Sequence, residues 1–339
     1  MAVRGPAKPI IGFGALIAVL CAAIVILFFA SLIAGPISLP FLKVLSGLSA
    51  EDSSLVGIIV EQIRLPRAIL ALTIGATLGL AGAALQGLLR NPLAEPGLIG
   101  VSGCAALGAV IAFYTGLSAA FALALPLGGI AGALLAVVVI YTLAGRESSI
   151  LTLILAGVAV NTFAGALTTL ALNLSPNPYA AFEIFFWLLG SLSDRSMQHV
   201  VLALPLMIAG WALLLTTGRA LDALTLGEDA ARSLGFRLGR IQARIVIGTA
   251  LSVGAAVAVS GIIGFVGLVV PHLLRPFVEH RPGRLLIVSA LGGAVLTLAA
   301  DIAVRLILSG PELKLGVLTA LIGAPFFLYL VIETRRSMR

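Results

Sequence analysis

Charged residues are scarce in this chain of 339 residues: only 10% are Asp, Glu, Lys or Arg, against about 25% in typical soluble domains. Hydrophobic residues make up 60% of the chain, and the mean hydropathy is +1.17. Apolar runs of roughly 18 residues or more, the length that crosses a bilayer, recur along its whole length. The composition therefore excludes a soluble globular domain and predicts an all-α polytopic membrane protein.

Motifs for binding nucleotides and metals are also absent from the sequence. No GxxxxGK[ST] phosphate-binding loop occurs, so if ATP is the fuel, a separate subunit must bind it. No HExxH motif and no cluster of histidine and cysteine occurs, so we expect no metal site and no cofactor on this chain. The basic residues form no stripe of the kind that a phosphate backbone requires, which argues against a nucleic-acid partner.

About ten apolar spans can be placed along the chain. The first six cover about 10–34, 63–90, 98–114, 117–143, 148–172 and 199–216. A seventh begins near 241, a short eighth lies in the Gly- and Pro-interrupted segment 261–276, a ninth ends near 301–305, and a tenth covers 315–332. We interpret 35–62 as a polar, weakly amphipathic interval, and the aromatic residues after the fifth span predict an interfacial helix. The whole chain, 1–339, is predicted to be one transmembrane domain.

Basic residues indicate the orientation of these spans. Ten spans place both termini on one side of the membrane. If that side is the cytoplasm, 15 of the 21 Lys and Arg residues lie in cytoplasmic segments and six in outer segments. Short cytoplasmic loops are generally enriched in Lys and Arg. The sequence therefore predicts that both termini are cytoplasmic.

The longest polar interval, 219–244, falls in the cytoplasm in this orientation. Glu228 and Asp229 follow Gly227, where acidic side chains suit the positive N-terminal end of a short helix. Gly235 is placed as its C-terminal cap. A helix of about two turns is not stable alone in water, so it must dock on something. The docking surface is either a soluble partner or the protein's own bundle and the lipid surface.

Three arginines fall in outer segments, against the usual charge bias: Arg64, Arg67 and Arg305. Anchoring to lipid headgroups is one explanation. Pairing with carboxylates of a soluble partner is another, since such pairs guide docking. A third is an Asp301–Arg305 pair within one helix, where residues four apart are neighbours.

Two other classes of membrane protein are alternatives. Ion-coupled carriers usually bury acidic residues within their spans, whereas here only Glu95, near the inner end of the second span, and His272 stand out. The GVSG sequence at 100–103 fits the short GxSG pattern of intramembrane serine proteases, with His272 as a possible base. A four-residue match is weak in a chain with 38 glycines.

Longer motifs resemble a known family. They are IRLPRAILALTIGATLGLAGAALQGLLRNPLAEPGLIGVS, LTLGEDAARSLG, GIIGFVGLVVPHLLR, LAADIAVRL and ELKLGVLTALIGAPFFLYLV, in this order between about 64 and 332. Together they resemble the FecCD-type permeases, the membrane subunits of ABC importers for ferric siderophores, haem and cobalamin. The resemblance implies a type II importer permease of ten helices. It also implies a second permease subunit, with the translocation path between the two, separate ATPase subunits that bind ATP and Mg, and an outer substrate-binding protein.

The resemblance also assigns roles to individual residues. Arg64, Arg67 and Arg305 match arginines that pair with glutamates on the binding protein. Asn91 and Leu93 match one constriction of the path, and Ile150 and Leu151 match a second, where the family's cobalamin permease has small hydroxyl residues. The loop that inserts into the ATPase is matched by Leu224, Leu226, Gly227, Glu228, Asp229, Ala231, Arg232, Leu234 and Gly235, within 219–240.

These observations predict a transport subunit that is not itself an enzyme. It is expected in the bacterial inner membrane, as a homodimer, importing a metal chelate with energy from a separate ATPase. A ferric siderophore is the predicted cargo, with haem and cobalamin as alternatives. An ion-coupled secondary transporter and an intramembrane hydrolase are the alternatives of another class.

Overall fold

The fold consists of helices throughout the part of the chain that the structure, a computed structural model, describes: residues 11–35, 55–121, 123–145, 150–175, 178–307 and 312–337. The helices of the first half are α1 Phe13–Ile33, α2 Leu55–Leu89, α3 Val101–Tyr114, α4 Leu117–Ala120, α5 Ala124–Ala144, α6 Ile150–Asn173 and α7 Pro178–Leu188. Those of the second half are α8 Met197–Leu215, α9 Gly218–Leu224, α10 Glu228–Ser233, α11 Leu238–Ser260, α12 Val266–Leu274, α13 Pro282–Ile307 and α14 Leu315–Ser337.

The length and apolar character of these helices confirm the predicted fold class. Within the described ranges, seven helices are long and apolar enough to cross a membrane, namely α1, α2, α5, α6, α8, α11 and α13. Three shorter apolar segments, Val101–Tyr114, Val266–Val278 and Leu315–Leu330, correspond to the remaining predicted spans. The helix predicted after the fifth span is present as α7.

Two predicted boundaries were wrong. The second span does not begin near 63, because α2 begins at Leu55, within the interval 35–62, and passes through a π-helical segment, Ile59–Arg64. Gly57 and Val60 are buried, and Val60 packs with Leu32 of α1, whereas Glu61 and Gln62 are exposed. The apolar face of α2 therefore continues beneath its polar residues. The rest of that interval, 36–54, lies outside the described residues.

The fourth predicted span is also interrupted. It divides into α4 and α5 at Phe121, whose backbone is extended with φ −158° and ψ 145°. Pro126 explains why α5 starts just before it. Inside a longer helix, the proline ring would clash with the carbonyl four residues earlier, and proline has no N–H to donate.

The bundle is built around α2 and α13, which pack against each other along most of their length. Gly75 lies against Gly293, and Gly79 lies against Ser289, so the two helices are antiparallel and touch backbone to backbone. Small residues permit this approach, which is how membrane helices gain van der Waals contact where lipid removes the hydrophobic driving force. Helix α11 packs beside this pair and against α5 and α8, and most of its residues are buried.

The α2–α13 contact leads to a stability prediction. A methyl group at Gly79 would overlap the carbonyl oxygen of Ser289, so we expect Gly79→Ala to lower the free energy of unfolding by about 1–3 kcal/mol, as overpacking does elsewhere. Thermal unfolding of the purified permease in detergent measures the change. Gly14→Ala is the matched control, since a Cβ there meets no atom within 4 Å. Equal melting temperatures for both variants would contradict the tight contact.

Candidate functional site

The polar interval after α8 folds into two short helices, of which the second, α10, was predicted. Glu228 and Asp229 occupy its first turn, and Gly227 precedes it with φ +106°. Gly235, with φ +86°, ends it: the Gly235 N–H donates to the carbonyl of Arg232 and the Phe236 N–H to that of Ala231, at 2.9 and 3.1 Å. This bond pair is a Schellman cap, which satisfies carbonyls at the end of a helix.

Contacts with the rest of the protein hold α10 in place while leaving apolar side chains outside. Ala231 is fully buried, whereas Leu226 is 71% exposed and Leu234 is 62% exposed. Arg232 pairs with Glu228 and Asp229, each at 3.0 Å, on the exposed side of the helix. Exposed ion pairs of this kind add little stability. The segment therefore presents two unpartnered leucines on either side of a charged helix turn.

The helix α9 was not predicted from the sequence. Leu221 and Leu224 in it are buried, and it packs against α2 and α13. It connects the membrane-spanning part of the chain directly to α10.

The opposite end of α2 and α13 carries a cluster of charges, which we call the terminal charge cluster: Arg67, Asp301, Arg305 and Glu312. Arg67 donates from Nε to Asp301 Oδ1 at 3.0 Å and also pairs with Glu312. Arg305 pairs with Asp301 Oδ2 at 2.8 Å, so the pair within one helix, the third explanation given for these arginines, is present. The Asp301 side chain is fully buried. A buried carboxylate needs such partners because an unpaired charge in an apolar interior is costly.

Glu312 is the most accessible carboxylate of the cluster, with a side chain 30% exposed. Its carboxylate also accepts a hydrogen bond from the Ser193 hydroxyl at 2.7 Å. Burial would raise the pKa of Glu312, but the hydrogen bond and charge of Arg67, with help from Ser193, outweigh burial and lower it. Glu312 therefore stays ionised and neutralises Arg67.

Arg64 and Arg305 also bind the end of α1. Arg64 donates to the carbonyls of Leu32 and Ile33 at 2.8 and 2.6 Å. Arg305 donates to the carbonyls of Ser31 and Ala34 at 2.9 and 3.0 Å. The last carbonyls of a helix lack partners within it, and a cation is favourable at that end. In this structure all three predicted docking arginines are engaged within the protein, and their docking role stays a prediction.

The predicted constrictions lie near the break between α11 and α12. Asn91 is exposed in the turn after α2, and its side-chain oxygen accepts the Leu93 N–H at 2.9 Å. Leu93 packs against Leu268 and Val269 of α12. Leu151 is 65% exposed in the first turn of α6, and α6 packs on the 3₁₀ turn Pro96–Ile99 that follows the Asn91 loop. The structure thus puts the two segments on neighbouring elements, and their gating role remains a prediction.

A partly buried carboxyl, that of Glu95, contacts the break itself. Phe265 adopts φ +67° just before α12, a region that bulky residues rarely occupy. Glu95 accepts a hydrogen bond from the Phe265 backbone; burial raises the pKa of Glu95, and this bond opposes the rise. A cavity of about 660 Å³ lies beside the break and is bounded by the end of α7, residues 262–265 and one face of α14. Of the second predicted constriction, Ile150 is the first residue of α6, and Ser148 and Ser149 just before it lie outside the described residues.

Comparisons with known proteins agree with this arrangement. The model of the FecCD transport family matches residues 23–333. The chain belongs to the FecCD transport family. The ABC transporter permease protein YvrB of Bacillus subtilis (strain 168) is 42% identical over 300 residues, covering 86% of this chain and 84% of the relative.

Two further comparisons are informative. The vitamin B12 import system permease protein BtuC of Vibrio cholerae serotype O1 is 42% identical over 292 residues, covering 84% of this chain and 86% of the relative. A solved inward-facing structure described as a metal-chelate type ABC transporter aligns with a TM-score of 0.83 and 31% identity, covering 94% of this chain and 99% of that one.

Membership of the FecCD family has direct consequences for the open alternatives. The chain is a multi-pass membrane permease of the ABC importer class and shares the fold of the solved transporter. The family implies separate ATPase subunits and a dimeric permease arrangement. The comparisons therefore favour the importer permease over the two alternative interpretations, an intramembrane hydrolase and an ion-coupled carrier.

Proposed function

We propose that this chain is the membrane subunit of an ATP-driven importer that carries a metal chelate across the inner membrane of a bacterium. The single observation that carries the proposal is α10: a short helix fixed to the bundle through Ala231, with Leu226 and Leu234 left exposed. Exposed leucines flanking a charged turn suit a groove on a soluble partner. A separate ATPase is the partner that we assign to it.

The orientation that fits this role places α10 in the cytoplasm together with both termini. Arginine-rich segments support it, since the segment around α10 carries Arg219, Arg232, Arg237, Arg240 and Arg244. The terminal charge cluster then faces outward, where a substrate-binding protein docks. Carboxylates on that protein are proposed to replace Glu312 as the partner of Arg67, because Glu312 is the accessible member of the cluster.

The second permease subunit is proposed to contact exposed apolar side chains on α6 and α14. Phe163 on α6 is 67% exposed, and Leu321 and Leu328 on α14 are 69% and 63% exposed. A homodimer formed through these faces would put the cavity beside α14 at the subunit boundary. Alternating access at that boundary would pass the cargo between Asn91 and Leu93 on one side and Ile150 and Leu151 on the other.

The cargo we propose is a bulky metal chelate, either cobalamin or a ferric siderophore. Cobalamin is favoured by the relative named as a vitamin B12 permease. The neighbour described as a metal-chelate type transporter is compatible with both. The residues that line the cavity beside α14 are apolar or small, which suits cargo whose selection is made by the binding protein. Haem remains a further alternative.

A transport assay tests both the energy source and the cargo. In cells that depend on this importer, inactivating the nucleotide-binding lysine of the associated ATPase is expected to reduce uptake to background, because this chain has no phosphate-binding loop of its own. Radiolabelled cobalamin and a radiolabelled ferric siderophore are supplied in parallel, and the one whose uptake is lost is the cargo. Uptake that persists without ATP hydrolysis would contradict the proposal.

A further inference from the structure

Asp222 in α9 joins that helix to the start of α13. Its Oδ1 accepts a hydrogen bond from the Gly283 N–H at 2.7 Å. Gly283 lies in the first turn of α13, where backbone N–H groups have no partner within the helix, and the preceding Pro282 has no N–H. Asp222 therefore caps a helix that begins 60 residues further along the chain, and a carboxylate there also suits the positive end of the helix dipole.

Close packing keeps Asp222 at this position. A Cβ on Gly283 would lie 2.7 Å from Asp222 Oδ2 and 3.1 Å from the carbonyl oxygen of Gly218. Towards α2, the methyl groups of Leu221 would lie 3.2 and 3.3 Å from a Cβ on Gly87. The helix α9 is thus wedged between the ends of α2 and α13, with almost no free space on either side.

The connection from α9 to α10 is short and hydrogen-bonded. The Leu226 N–H donates to the carbonyl of Ala223, and the Gly227 N–H donates to that of Leu224, both at 3.1 Å. Leu224 and Ala231 are buried on either side of this turn. A displacement of α10 is therefore passed to α9 rather than absorbed between the two helices.

The α2–α13 pair is also tied together at its far end. Glycine contacts join the middle of the two helices, and the Arg67–Asp301 ion pair, 2.9 Å between Arg67 Nη2 and Asp301 Oδ1, joins the end opposite α9. The 26 residues of α13 extend about 39 Å at 1.5 Å per residue. Two helices fixed to each other at both ends and in the middle move as a unit.

We propose that Asp222 is a positioning residue that links α10 to the α2–α13 pair, so that a displacement of α10 by the ATPase reaches the terminal charge cluster. The inference rests on the proposed function, which assigns the ATPase to α10 and the binding protein to the cluster. Asp222 itself touches neither the ATPase nor the cargo in this mechanism. It acts through the first turn of α13.

The test uses the complete importer, with ATPase and binding protein, in lipid nanodiscs. ATP hydrolysis is measured with and without the binding protein. For Asp222→Ala we expect basal hydrolysis within about twofold of wild type, whereas stimulation by the binding protein is lost. Asp222→Asn is expected to retain the stimulation, because an amide oxygen caps a helix nearly as well as a carboxylate does. A purely structural role would lower basal and stimulated hydrolysis together.

Two results would overturn the inference: full stimulation in Asp222→Ala, or equal loss in Asp222→Asn. If Asp222→Ala does not assemble, Gly283→Ala is used instead. The added methyl group displaces the Asp222 carboxylate and leaves the N–H of residue 283 in place. Full stimulation in Gly283→Ala also overturns the inference. Glu228→Arg in α10 separates this failure from that of the proposed function. If Glu228→Arg loses uptake while Asp222→Ala keeps full stimulation by the binding protein, only the role of Asp222 is rejected. If Glu228→Arg keeps wild-type uptake, the coupling role of α10 is rejected.

Discussion

Glu228→Arg is expected to reduce ATP-driven uptake by about tenfold or more while the permease remains folded and inserted. Glu228 lies at the start of α10, and its side chain is 35% exposed. The substitution removes the pair with Arg232 and places like charges four residues apart on the docking surface. That repulsion within the helix is small, whereas a reversed charge that faces the partner across the interface costs several kcal/mol, and about 1.4 kcal/mol already gives a factor of ten. Uptake by cells or proteoliposomes measures the effect.

A second change in the same segment tests its apolar side. Leu234→Asp is expected to lose uptake to a similar extent, since a carboxylate replaces an exposed leucine that we assign to the partner's groove. Glu279→Arg is the matched control: Glu279 is exposed, forms only surface pairs with Arg281 and Arg284, and lies outside α10. Wild-type uptake in Glu228→Arg or Leu234→Asp, at equal membrane levels, would remove the coupling role of α10.

Asp301→Ala is expected to cause the largest loss of stability, about 3–5 kcal/mol in the free energy of unfolding. The side chain of Asp301 is fully buried between Arg67 and Arg305. Removing it leaves Arg305 without a carboxylate, with only carbonyls and the Ser31 hydroxyl as partners, and leaves Arg67 with Glu312 as its carboxylate. Breaking a buried ion pair from one side costs about this much because the remaining charge is poorly compensated. Thermal unfolding in detergent measures the loss.

The control for Asp301→Ala is Arg232→Ala, which removes an exposed ion pair of similar geometry at the other end of the bundle. Its partners Glu228 and Asp229 remain in water, so little change in melting temperature is expected. Similar melting temperatures for Asp301→Ala and Arg232→Ala would show that the terminal charge cluster contributes no more than a surface pair does.

The spans and α10 could be predicted because local physical constraints specify them. A bilayer requires about 20 apolar residues per helix, and Gly227, Glu228 and Gly235 carry the start and stop signals of α10 in a stretch of only nine residues. The start of α2 was missed because Glu61 and Gln62 look like loop residues, although they only cover the exposed side of a helix whose other side is buried.

Contacts between distant residues could not be predicted in the same way. Arg67 and Glu312 are 245 positions apart, and Asp222 and Gly283 are 61 apart. The sequence showed that Arg64, Arg67 and Arg305 needed partners, but the family resemblance directed them all to another protein. Arg64 and Arg305 bind the last carbonyls of α1, and this contact depends on tertiary packing, which a local sequence pattern does not reveal. Glu312 gave no signal of its own.

The glycine contacts between α2 and α13 restrict the kind of motion that import can use. Gly75 meets Gly293 and Gly79 meets Ser289 with no room for a methyl group. Sliding one helix past the other by one turn, about 5.4 Å, would bring Ala83 against Ser289 or Ala71 against Gly293, where there is no room for a methyl group. The register of the two helices is therefore fixed. A passage must open between other helices, such as the loosely packed α6 and α14, while α2 and α13 tilt together without sliding.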